Sequence, residues 1–170
     1  MEQKAVTARQ EALKELSRYG IEGALVYLID VIPLVEMVWA DGIAQDSEIA
    51  IIDAYLHEHV NHINMIAGSD ILSFEEAHDF ISGFLSIKPD PEFLQTLRSL
   101  VVPVRLSTSD SDFNDAVRES LLATCLDIAS SAAAQYPHKL SDRFDPAEKR
   151  CFFEILDTLT EPSDSPSKMT

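Results

Sequence analysis

Basic residues are scarce. The 170-residue chain has 13 lysines and arginines against 29 aspartates and glutamates, a formal charge of −16. Attraction to phosphate supplies most non-specific nucleic-acid affinity, so this balance argues against DNA or RNA as a partner and leaves cations or basic protein surfaces as the complementary class. Glycine is rare at 5 residues, and the 8 prolines fall mostly where helices would begin or end, which disfavours a turn-rich β protein. Cys125 and Cys151 are the only cysteines. Each lies in a helical apolar pattern and neither belongs to a Cys-x-x-Cys pair, so both are expected to be core thiols with no disulfide framework or zinc motif.

Long apolar runs are also missing. The first twenty residues mix charges throughout, with no apolar stretch of the kind that marks a secretory signal, and a cytoplasmic location is the expectation. Residues 24–40, "ALVYLIDVIPLVEMVWA", come nearest to a membrane span, but Asp30, Pro33 and Glu36 interrupt them. Acids are costly in hydrocarbon, so the stretch reads as a buried helical element and no transmembrane segment is expected. No Gly-x-Ser-x-Gly elbow and no glycine-rich phosphate loop is present.

What the chain does have is helical periodicity almost everywhere and no useful run of alternating polarity. The spacing predicts an all-α, single-domain bundle of about seven helices over residues 1–160, with a disordered Pro/Ser-rich tail at 161–170. Helices are expected over about 4–19, over 22–40 with a kink or restart at Pro33, and over 46–63 with Ile49, Ile52, Leu56, Val60 and Ile63 inward. A fourth begins at the capping box of Ser73 and Glu76. A fifth begins at Asp90-Pro91 and runs to about Val102, before Pro103. A sixth covers about 112–134, and the last starts at Asp145-Pro146. Aligning the third and last helices by their starts gives a weak internal repeat of helix hairpins, in which Glu48 matches Glu148 and Ile52 matches Phe152.

The corner "VWADGIAQDSE", residues 38–48, separates the second and third helices. Asp41 and Glu48 there supply hard oxygen atoms suited to a divalent cation, Ca²⁺ or Mg²⁺ by ligand type. The same residues also make a sound corner without a cation, with Gly42 at positive φ and Glu48 three residues into the next helix. An EF-hand is excluded, because its first and third loop positions would be Met37 and Trp39.

This stretch resembles the TerB-like tellurite-resistance family, which includes the N-terminal region of the DjlA co-chaperones. Asp41, Gly42 and Glu48 match the family's Ala-Asp-Gly corner and following glutamate, while Ala44 stands where isoleucine is usual. Residues 125–156 look like the family's second hairpin, without its Asp-Gly and with a longer loop. The resemblance implies a helical, acidic domain that binds divalent cations or protein partners in bacterial stress responses, often with a membrane-associated complex. It implies no catalysis. The His-Pro-Asp of a J-domain is missing from the sequence, so Hsp70 stimulation is not expected.

Two histidine patterns suggest metals. In "DAYLHEHVNH", His57 and His62 are five apart and face different sides of a helix, which rules out a His-Glu-x-x-His zinc site. A solvated face with charge pairs such as Asp53 and His57 is expected. Glu75 and His78 fit one Glu-x-x-His half of a ferritin-like di-iron site, but no second half exists. The sequence therefore points to a non-enzymatic protein that recognises a protein partner, with a divalent cation at Asp41 and Glu48. The alternatives are a carboxylate/histidine metal enzyme and an acidic mimic of nucleic acid that occupies a basic protein.

Overall fold

A computed structural model of the chain describes residues 2–133 and 146–160. These form eight α-helices and one 3₁₀ helix, with no strand among the described residues. The helices are α1 (Glu2–Arg18), α2 (Ile32–Trp39), α3 (Asp46–Ala67), α4 (Phe74–Ser86), α5 (Pro91–Ser99), α6 (Val101–Arg105), α7 (Ser111–Ala133) and α8 (Pro146–Thr160). The all-α bundle expected from periodicity is what forms. The predicted tail at 161–170 and the Asp145 cap lie outside the described residues.

Helix α2 is the axis of the fold. Each of its residues from Ile32 to Val38 is buried, including Glu36, as befits a helix apolar on nearly every side. It packs against α3, α5, α7 and α8. On α3, Ile52, Leu56, Val60 and Ile63 form the buried stripe, facing α7, from which Leu121, Cys125 and Ile128 point inward. Helix α4 packs on the outer side of α3, and Trp39 ties α2 to it by donating its indole N–H to the carbonyl of Phe84 at 2.8 Å.

Local chemistry sets most boundaries. Ser73 and Glu76 close the predicted capping box of α4, with reciprocal bonds of 3.0 and 3.1 Å. Asp90 caps α5 by accepting from the Glu92 amide at 3.1 Å, with Pro91 in the first turn. Helix α3 runs four residues past the expected end and stops at Gly68, whose φ of 76° is the left-handed cap that favours glycine.

Two boundaries differ from expectation, both because of proline. The α-helix restarts at Pro33, the second of the two forms expected, but what precedes α2 is a 3₁₀ helix (Gly23–Val31) and not an α-helix. Pro33 has no N–H to offer the Ile29 carbonyl in the α pattern, and the Ile32 amide bonds it instead, one residue earlier. Likewise the fifth helix does not continue to Val102. It breaks at Leu100, and Pro103 sits inside a new short turn, α6, where its missing donor is tolerated. That turn places Arg105 beside the 3₁₀ helix.

Candidate functional site

The corner between α2 and α3 is built from local hydrogen bonds. Gly42, at φ 88°, donates to the Trp39 carbonyl at 2.8 Å, and Asp41 Oδ1 accepts from the Ile43 amide at 3.0 Å. Glu48 Oε1 accepts from the Gln45 amide at 3.0 Å, satisfying a donor at the start of α3. Asp41 is thus half-buried and already engaged by the turn, whereas Glu48 is fully buried.

The second oxygen of Glu48 is the unusual atom. Oε2 is buried and receives no hydrogen bond from a nitrogen or hydroxyl donor among the described residues. Beside the Glu48 side chain is the carboxyl of Glu148, itself 2% exposed, which the start of α8 brings within hydrogen-bonding interaction of Glu48. Burial pushes the Glu48 carboxyl up; the Gln45 amide offsets part of the rise, and the charges of Asp41 and Glu148 add to it, reaching about 7. Two carboxylates bond to each other only through a proton or a cation between them, and the raised Glu48 carboxyl can hold such a proton below about pH 7. Asp41 and Glu48 are legible in the sequence as oxygen ligands, whereas Glu148 shows there only as the counterpart of Glu48 in the internal repeat. Among the described residues no three His, Cys, Asp or Glu side chains converge as a metal array. Backbone carbonyls or water would have to complete the coordination of any cation held by this pair.

The histidines go to separate places. His57 stacks flat on Phe74, with ring centroids 3.6 Å apart, and Asp53 pairs with His78 at 3.8 Å instead of with His57. Glu75 and His78 remain exposed on α4. His59 corrects the expected solvated face: it is 7% exposed and turned into the bundle.

There His59 meets a buried charge cluster. Its Nε2 lies 2.7 Å from the Tyr27 carbonyl and 3.0 Å from Asp30 Oδ1, while Arg105 Nε donates to Asp30 Oδ2 at 3.1 Å. Both neighbours of Nε2 are acceptors, so that nitrogen carries the proton and Nδ1 is the atom that titrates. Burial alone would lower the histidine, but Asp30 and the Tyr27 carbonyl outweigh it and hold its pKa above the ordinary value; Asp30, despite its burial, is held low by His59 and Arg105. A second buried pair joins Arg98 to Glu36 Oε2 at 2.5 Å. Burial carries Glu36 to about 7 against the pull of Arg98. Asp30 and Glu36 had shown in the sequence only as acids interrupting an apolar run, which is the signal of a buried charge. Their arginine partners, 75 and 62 residues away, left no such signal.

No protein-family model, curated protein or solved structure matches the chain.

Proposed function

We propose that the chain is a non-enzymatic binding domain of the TerB-like kind, in which a divalent cation at the Asp41 and Glu48 corner tunes recognition of a protein partner in a stress response. The observation that supports this reading is the buried Glu48 carboxyl, one oxygen of which has no donor, beside the carboxyl of Glu148. A cation taken there exchanges for the shared proton and relieves the repulsion between the two carboxylates. Asp41 contributes its charge at short range. An all-oxygen set of this kind selects Ca²⁺ or Mg²⁺ over softer ions.

The corner is also where a partner could sense the change. Ile43 lies between the two acids in sequence and is 65% exposed, so a shift in the loop alters an apolar contact point on the surface. No helix among the described residues is long and apolar enough to cross a membrane.

Thermal unfolding with and without Ca²⁺ or Mg²⁺, at constant ionic strength, tests the reading. A cation at a hundred times its dissociation constant stabilises by about 2.7 kcal/mol, a shift of several degrees for a domain of this size. The shift should disappear in the double variant Asp41→Asn, Glu48→Gln. An equal shift in the double variant, or no shift in the native protein, would refute the cation site.

A further inference from the structure

The charge cluster around Asp30 floors a cavity of about 350 Å³ between α3 and α7, and the corner at Glu48 takes no part in it. Its volume is at the lower end of the range for small-molecule sites. We propose that this cavity binds a small organic monocarboxylate, with Arg105 as the anchor for the carboxylate and an apolar body held between Phe113 and Val117.

Arg105 carries the argument. The residue is 8% exposed, yet only its Nε is bound by protein, to Asp30. Its guanidinium carbon lies 5.6 Å from the centre of the Tyr27 ring, which fixes the plane of the fork. The two terminal nitrogens have no acceptor among the described residues, and Arg105 lines the cavity. A guanidinium with one edge anchored and the other edge free matches the two oxygens of a carboxylate. The terminal nitrogens are not among the buried polar atoms that lack a partner, so water reaches them in the cavity and a carboxylate would replace that water.

The neighbouring groups favour the same chemistry. His59 lines the cavity, and Nδ1 is the ring nitrogen that neither Tyr27 nor Asp30 holds. Protonation of that atom would give a second donor, and charges would then alternate from Asp30 through Arg105 and His59 to the ligand. Tyr55 lies against His59, with ring centroids 5.4 Å apart, and its hydroxyl makes no hydrogen bond to the described residues, so it is a third donor on the wall. Burial and the Asp30 charge keep that phenol protonated.

The rim sets the limit on charge. Exposed Glu58 lines the mouth, and the molecule as a whole is strongly acidic, so polyanions are disfavoured and a single negative charge is the fit. The His62 and Phe113 rings, nearly parallel and 6.5 Å apart, close one side of the mouth and supply the apolar wall that an inorganic anion would not use.

The test is an NMR titration of the full chain with sodium benzoate, with benzamide as its neutral isostere and with inorganic phosphate, all at fixed ionic strength. Saturable shifts with benzoate around residues 55–62, 105 and 113–120, absent with benzamide, are expected. Arg105→Gln should weaken the binding by at least about tenfold. Because that substitution leaves Asp30 with His59 alone and could unfold the protein, Ala116→Trp provides an independent check. Ala116 is exposed at the rim, and an indole there should block the cavity and abolish the shifts without touching the buried pair. Equal binding of benzoate and benzamide, binding of phosphate alone, or undiminished benzoate binding in folded Arg105→Gln or Ala116→Trp would each overturn the assignment.

Discussion

At the residue scale, the protein concentrates its cost in a few buried acids. Asp30 is wholly buried and held by Arg105 and His59, so Asp30→Ala would take away the carboxylate that both of them share. Removing one member of such a cluster typically costs about 3–5 kcal/mol, and urea unfolding of Asp30→Ala should show a loss of this order. An unchanged midpoint would mean that the cluster is solvated. The acids also fix the sign of the pH response. Glu48 and Glu36 are raised to about 7, so the stability they confer is full below their unfolded values near 4.5 and is lost as pH rises toward 7. His59, whose folded pKa is also raised, adds to the decline, its contribution being full below 6.5 and lost as pH passes through the folded value. The cation-free protein should therefore become steadily less stable between about pH 5 and 7.5, and Glu48→Gln should flatten part of that slope in thermal unfolding. A native slope of the opposite sign would place these carboxyls in water.

At the element scale, the helices follow from caps and stripes that a single sequence displays. Ser73 with Glu76 and Asp90 with Pro91 start their helices where local chemistry said they would. Ser73→Ala should cost about 1 kcal/mol through loss of the bond to the Glu76 amide, measured by chemical denaturation. Gly68 invites the matching test at a helix C-terminus, that of α3: alanine there is strained at φ 76° and should destabilise by about 1 kcal/mol. What the sequence did not display is equally physical. Residues 23–31 are apolar on nearly every side, so no face identifies their period, and the 3₁₀ geometry follows from which amide reaches the Ile29 carbonyl once Pro33 cannot. His59 looked like its exposed neighbours because its burial depends on Asp30, 29 positions earlier, turning the same way. Glu148 was legible only as a pattern match to Glu48, since nothing local says that two helix starts a hundred residues apart will meet.

At the scale of the whole molecule, a charge of −16 on a domain this small opposes compaction. Exposed carboxylates repel over a screening length of about 10 Å at 0.1 M salt, so raising NaCl from low values should increase the melting temperature, with most of the gain below about 0.2 M. A melting temperature indifferent to salt would mean that local pairing already neutralises the field. The same field attracts any divalent cation to the surface, and the corner at Glu48 must therefore be distinguished from a general ion atmosphere. The distinction lies in protons: a diffuse cation displaces other cations, whereas a cation between Glu48 and Glu148 must displace the proton they share.

Calorimetric titration with Ca²⁺ near pH 7, in buffers of different ionisation enthalpy at one ionic strength, measures that proton directly. The account predicts saturable binding accompanied by release of a fraction of a proton to one proton per cation, and loss of both in Glu48→Gln. Binding with no proton release, or an identical titration in Glu48→Gln, would contradict it.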